Sequence, residues 1–321
     1  MKTSKKILLI IATALVGVGI ITGIVGFGLT GGDIMAFNMT KNVTNSYEVS
    51  DGFLDIYIES GTADVNILAS DDGVCRVNCE ETDNLYHTVT VENGTLKILK
   101  KDIRKWYHHI GIFWGKMEIT VYLPEEAYTV LTLKGNTGNV KMSESLTFGV
   151  VDIEADTGDI DVYSKVIGQV AVSTDTGKIN INNAHVDSLK AKASTGKVTV
   201  VNSEANTLTI KTSTGKVYLK DVTCRNMHAE TSTGGVSAEN VIADVDAVIR
   251  CSTGDVKLVG FDAQLINIKT DTGDVYGELL SDKIFTTETD TGKVNVPRSE
   301  QGGRCDVLTD TGNIEFKINK R

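Results

Sequence analysis

Proline is nearly missing from this chain: there are two among 321 residues, and aromatic residues make up only 6%. Turns must therefore come from glycine, Asn, Asp and Ser, and glycine alone occurs 31 times. A core of large rings is excluded as well, which leaves β-branched interiors of the kind that strands favour. Basic residues are outnumbered, 32 against 42 acidic, for a net charge of −10. That balance argues against a nucleic-acid partner, whose phosphates are held by Lys and Arg. No Cys-x-x-Cys or matching His spacing suggests zinc. No Ser/His/Asp set or phosphate loop appears either, so the expectation is no cofactor, no metal and no catalytic residue.

The long apolar run that is present lies at the N-terminal end. Lys2, Lys5 and Lys6 precede an uncharged stretch from Ile7 to Gly32, and Asp33 closes it. About 20 apolar residues cross a bilayer as a helix, and flanking lysines mark the cytoplasmic side. The expectation is a single-pass anchor, N-terminus cytoplasmic, with the rest extracytoplasmic. A cleaved secretory signal is the alternative, although no small-x-small site or lipid-accepting Cys closes the run. Five cysteines (Cys75, Cys79, Cys224, Cys251, Cys305) form an odd set for an oxidising compartment. Cys75 and Cys79 share a strand-like stretch and would sit about 13 Å apart, too far to join each other.

The dominant signal is a repeat. Ten Thr-Gly pairs recur every 19 or 20 residues: Thr137-Gly138, Thr157-Gly158, Thr176-Gly177, Thr195-Gly196, Thr214-Gly215, Thr233-Gly234, Thr253-Gly254, Thr272-Gly273, Thr291-Gly292 and Thr311-Gly312. Two residues after each glycine stands Val or Ile, and two before it stands Asn, Asp or Ser. Between the turns, apolar residues alternate with the strand period of two, as in Leu208, Ile210 and Thr212, then Val217 and Leu219. A polar break follows (Asn183, Asn202, Asp221, Asn240), then a short pair such as Ala184 and Val186. Units this short bury an apolar face only by stacking on neighbours. The pattern predicts an all-β fold, a parallel β-solenoid (β-helix) of about ten three-sided rungs. At ~4.8 Å per rung it would form a rod roughly 48 Å long.

In each corner glycine supplies a left-handed conformation. The short polar residue before the pair is expected to accept backbone N–H groups, and the stacked threonines to form a hydroxyl ladder. Cys251 falls in the phase of Thr212 and Thr231, Cys305 in that of Leu208 and Ile266, and Cys224 in that of Val186 and Ala205. All three read as small buried hydrophobes. The divisions expected are an anchor over 1–32, a β-rich N-terminal cap over 33–130 and the repeat over 131–321. Within the cap, residues 53–67 resemble an imperfect early rung. At the other end the charges of Phe316-Lys-Ile-Asn-Lys-Arg321 would blunt the last edge.

Three motifs invite a chemical reading. Asp-Thr-Gly, the aspartic protease triplet, occurs at Asp156, Asp175, Asp271, Asp290 and Asp310. That chemistry needs two carboxylates facing across a cleft, whereas these would stack on one corner. Asp255, Asp274, Asp271, Asp290 and Asp310 should cluster on the late rungs, where calcium could screen their repulsion. Lys100 to Trp114 gathers both tryptophans with basic and aromatic neighbours. Trp106, Tyr107, Phe113 and Trp114 are therefore candidates for a surface that stacks on sugars or meets a membrane interface. Equally, Trp106, Phe113 and Trp114 could plug the solenoid end. His108 and His109 would point to opposite faces of an extended strand.

The hydrophobic anchor, Ser60-Gly-Thr-Ala-Asp-Val65, the strand Met117 to Leu123 ending in Pro124-Glu-Glu, and the Thr-Gly-Lys/Asp-Val rungs together resemble the bacterial "putative adhesin" domain family, which includes LiaG-type envelope proteins. The resemblance implies a non-enzymatic envelope protein and supplies no catalytic residues. It implies a structural or binding module for a cell-wall polymer, a host surface or another membrane protein. The alternative is an accessory or sensor subunit of an envelope-stress system, its helix pairing through Gly17, Gly19, Gly23, Gly26 and Gly28. More remote is a polysaccharide-acting β-helix enzyme.

Overall fold

The structure, a computed structural model, describes residues 3–29, 41–104 and 117–320. It begins with one helix, α1 (Thr3–Leu29), whose stretch Lys5–Leu29 has a mean hydropathy of 2.7. This helix is long and apolar enough to cross a membrane, a test that a signal sequence also passes. Seven strands follow: β1 (Asn42–Val49), β2 (Asp55–Gly61), β3 (Asp64–Ala69), β4 (Cys75–Thr82), β5 (Leu85–Glu92), β6 (Thr95–Asp102) and β7 (Glu118–Leu123). The repeat then supplies β8 (Ala127–Thr137), β9 (Val140–Met142), β10 (Thr147–Thr157), β11 (Ile160–Val162), β12 (Lys165–Thr176), β13 (Ile179–Asn182) and β14 (His185–Thr195). Longer strands that bend through a corner come next: β15 (Val198–Thr214), β16 (Val217–Thr233), β17 (Val236–Thr253) and β18 (Val256–Thr272). The last are β19 (Val275–Leu279), β20 (Lys283–Thr291), β21 (Val294–Asn295), β22 (Gly303–Thr311) and β23 (Ile314–Ile318).

These strands coil into an all-β parallel solenoid of about nine turns. Each rung pairs in parallel with the next, phase on phase. Thr137 lies beside Thr157, Thr157 beside Thr176, and so on to Thr253 beside Thr272. The inward columns are β-branched and dry. Val198, Val217, Val236 and Val256 stack in one such column, all buried. Cys251 lies beside Thr231, Cys305 beside Ile266, and Cys224 beside Ala205, all buried, as their phases require.

The Thr-Gly corner needs its glycine for two reasons. Nine of the ten have φ between +129° and +157°, where an L side chain is strained. In the regular stack, a Cβ on each would also fall on the carbonyl of the glycine in the preceding rung. The polar chemistry at this corner departs from expectation in two ways. The residue before the pair bonds sideways to its own kind, Asn136 to Asp156 and Ser194 to Asp175, and not to backbone. Backbone N–H groups are instead accepted by the residue after the glycine. Asn139 donates its N–H to Asp64 Oδ1, Asp159 to Asn139 and Lys178 to Asp159, at 2.7–2.9 Å. The corner threonines themselves are exposed, and the hydroxyl ladder lies one step inside. There Thr174, Thr212, Thr231, Thr270 and Thr309 donate to the glycine carbonyl of the rung beneath at 3.0–3.3 Å. Thr212→Val keeps the shape and removes that donor. A loss of about 1 kcal/mol is expected in denaturant unfolding of the full chain, and an unchanged midpoint would show that the ladder contributes nothing.

The second corner turns on Asn183, Asn202, Asp221 and Asn240, each with φ between +48° and +61°. Asn and Asp tolerate this left-handed region because their side chains bond locally.

The two ends are not stacked in chain order. At the N-terminal end, β2 and β3 lie directly on β8 and β9, so residues 53–67 contain the true first rung. β6 and β7 form the next rung outward, and β5, β4 and β1 close it with antiparallel pairs. At the other end β22 lies between β18 and β20, and β23 between β19 and β21. The final edge is therefore β20–β21, and not the charged segment after Phe316 that was expected to blunt it. Burial explains the order: β22 turns Cys305, Val307 and Thr309 inward, whereas β20 turns Phe285, Thr287 and Thr289, a more polar set suited to an end.

Candidate functional site

Four places could carry chemistry, and the Thr-Gly corner is the first. Its aspartates stand in one file along the rod: Asp156 accepts from Asn136 and Asp175 from Ser194. No facing pair forms there, so the Asp-Thr-Gly triplets are turn chemistry. On the late rungs Asp255 Oδ1 accepts the N–H of Asp274, and Asp274 Oδ1 accepts the N–H of Asn313, at 2.9 and 2.7 Å. Backbone N–H groups thus offset part of the repulsion between Asp255 and Asp274. Among the described residues this corner gathers no group of three donors.

The second place is a groove of about 690 Å³ on the short third face. Its rims carry His185, Glu204 and Thr223 on one side and Asp187, Asn206, Arg225 and Asp244 on the other. Alternation puts them there: Val186, Ala205 and Cys224 point inward between them and form the floor. Asn206 donates to Asp187 at 2.9 Å. Burial, with Asp244 and Asp246 adding to it, pushes the Cys224 thiol up to about 12. At neutral pH it is a thiol and a poor nucleophile. Mixed charges, amides and rung-spaced donors suit a polar ligand more than a reaction.

The third place is the aromatic segment. Trp106, Tyr107, Phe113 and Trp114, with His108 and His109, lie outside the described residues. The strands on either side are defined. β6 ends at Asp102, where Arg104 pairs back at 2.6 Å, and β7 begins at Glu118. β6 lies on β2 and β7 on β3, and those neighbours are joined across Thr62 and Ala63 alone. In sequence, residues 103–117 stand between β6 and β7, whereas Thr62 and Ala63 stand between β2 and β3.

The fourth place is a buried polar cluster in the cap, invisible to spacing rules. Cys79 and Glu81 point inward from β4, and His87 meets them from β5 across the tight turn at Thr82–Leu85. All three are within 1% of full burial. Glu81 Oε2 accepts from the backbone N–H of His87 at 2.7 Å and lies 2.9 Å from its Nδ1. Asn45 of β1 donates to Glu81 Oε1 at 2.5 Å. His87 Nε2 lies 3.2 Å from the carbonyl of Ser60, and Tyr47 donates to the carbonyl of His87 at 3.1 Å. Burial raises the Tyr47 phenol, with Glu81 and Cys79 adding to the shift. A sequence signal existed in retrospect: a Glu and a His on inward phases of otherwise apolar strands.

Comparison with known proteins follows the fold. A family model described as Toastrack DUF4097 matches residues 53–203 and again 183–320. No curated protein matches the chain. Among solved structures, a "putative lipid binding protein" from Parabacteroides distasonis ATCC 8503 is similar at 18% identity over 85% of this chain and 97% of its own, with a TM-score of 0.47. A "putative adhesin" from Parabacteroides merdae ATCC 43184 is 13% identical over 87% and 98%, with a TM-score of 0.43. A "putative cell adhesion protein" from Clostridium sporogenes ATCC 15579 is 10% identical over 87% and 100%, with a TM-score of 0.26. At these scores none of the three bears on what the chain does.

Proposed function

The chain belongs to the Toastrack DUF4097 family, and from that premise we propose that it is a non-enzymatic, membrane-anchored binding module of the cell envelope. In this reading α1 spans the membrane with its lysines in the cytoplasm and holds the solenoid outside. The observation that carries it is the interval 103–117 between β6 and β7, where two residues suffice between β2 and β3. Long insertions on rigid scaffolds are where binding residues concentrate. The sequence of this one carries Trp106, Tyr107, Phe113 and Trp114, preceded by Lys100, Lys101, Arg104 and Lys105. Rings with cationic neighbours fit the sugar faces and phosphates of a wall polymer.

Co-sedimentation of the detergent-solubilised full chain with isolated cell-wall sacculi tests this, beside the variant Trp106→Ala/Trp114→Ala. Saturable binding by the wild type, weakened tenfold or more in the variant, is the expected outcome. Absence of wild-type binding would sink the wall-binding form of the proposal. A second reading is an accessory subunit acting through α1, supported by the missing side chains at Gly17, Gly19, Gly23, Gly26 and Gly28, which let another helix approach closely. Exchanging α1 for an unrelated span separates the two: a surface binder keeps its activity and a helix-paired accessory loses it.

A further inference from the structure

We infer that Cys79, Glu81 and His87 form a zinc site that locks the first strand after the anchor helix onto the cap. The imidazole of His87 sets the first constraint. Its Nε2 faces the Ser60 carbonyl, which can only accept, so the hydrogen belongs on Nε2. That leaves Nδ1 as a lone pair, 2.9 Å from Glu81 Oε2, itself a lone pair. Two acceptors that close, in a place where all three side chains are within 1% of full burial, need a proton or a metal ion between them. The choice is a proton shared by the ring and the carboxyl group, or a metal ion.

The surrounding donors select the metal. Cys79 Sγ, Glu81 carboxylate oxygen and a His87 ring nitrogen lie within 4.8 Å of one another. Sulfur, nitrogen and oxygen donors together suit zinc, whose bonds of about 2.0–2.3 Å place tetrahedral ligands roughly 3.3–3.7 Å apart. The separation of Nδ1 and Oε2 need widen by only a few tenths of an ångström. A ring N–H held by a backbone carbonyl is also what orients a metal-binding histidine. A divalent ion bound here would hold Cys79 as its thiolate.

The consequence is mechanical. Asn45 holds Glu81 and Tyr47 holds the His87 carbonyl, and both sit on β1, which pairs with β4 at Asn45↔Cys79. A metal at this point would tie the first strand after α1 to the rigid rod.

The test uses the full chain, purified in detergent without chelator and refolded with Co²⁺ in place of zinc. Cobalt bound to a thiolate shows a sulfur-to-metal charge-transfer band, which a protonated histidine cannot produce. About one equivalent of zinc as purified, together with that band after cobalt loading, is expected. Cys79→Ser should fold, with its circular dichroism unchanged, and lose the band. A wild-type chain that carries no zinc and develops no band overturns the inference and leaves a buried imidazolium–carboxylate pair. A band that persists in Cys79→Ser overturns it too, by assigning the sulfur elsewhere.

Discussion

Gly215→Ala should unfold the middle of the rod, at a cost of about 4 kcal/mol. Two penalties add. The backbone at Gly215 has φ +157°, a region that costs an L residue roughly 1–3 kcal/mol. The new methyl would also fall on the carbonyl of Gly196, and forcing atoms into a packed interior costs typically 1–3 kcal/mol. The neighbouring change Thr214→Ala is the control. That side chain is exposed, so its loss should stay within about 0.5 kcal/mol. Thermal and denaturant unfolding of both variants decide the matter. Equal stabilities would mean that rungs shift apart at small cost, against the tight stacking described here. Solenoid stability is nearly a sum over neighbouring rungs, so a break in the middle should also leave the two halves unfolding separately.

Asp262→Ala should cost about 3 kcal/mol, for a different reason. Lys283 is buried on the outermost strand, β20, and its ammonium reaches Asp262 at 2.5 Å and also Ser281. It passes Gly303 of the inserted strand, its register partner, which has no side chain to block the way. The pair is a clasp over β22. Removing the carboxylate leaves a positive charge without its partner in a dry place, which typically costs 3–5 kcal/mol. Asp262 is 22% exposed, and the residual access of water argues for the lower end. The double variant Asp262→Ala/Lys283→Met removes the stranded charge and should regain most of the loss. If it is no more stable than the single variant, then lost packing, and not the charge, explains the effect.

Much of this architecture was written openly in the repeat. The phases of Leu208, Ile210 and Thr212, of the asparagine corner, and of Cys224, Cys251 and Cys305 all follow from a period of two interrupted every 19 or 20 residues. Periodicity describes one rung at a time, however, and is silent on which rung stacks on which. Swapping β20 and β22 preserves every alternation, so only the polarity of Thr287 against Val307 distinguishes the end from the interior. The corner's hydrogen bonds were assigned three residues away from where they lie, because Asp156 and Asp159 have the same side chain and only geometry shows which one meets a backbone N–H. The Cys79–Glu81–His87 cluster escaped because its donors come from a strand and the strand after it. No fixed spacing rule covers that arrangement, and on the sequence Cys79 is weighed only against Cys75 as a disulfide partner.

The insertion of β22 bears on how the chain is assembled over time. A protein delivered from its N-terminal end presents β20 before β22, yet the slot beside β18 belongs to the later arrival. Until that segment emerges, the exposed backbone of β18 is an open invitation, and the nearest applicant is the wrong one. β20 carries the same Asp-Thr-Gly corner and can pair there in register, so the half-made rod has a misfolded competitor encoded next door. What makes such a trial pairing reversible is the poor fit of Thr287 in a place that asks for an aliphatic side chain. The polar face of β20 therefore disfavours that trial pairing as well as closing the finished rod.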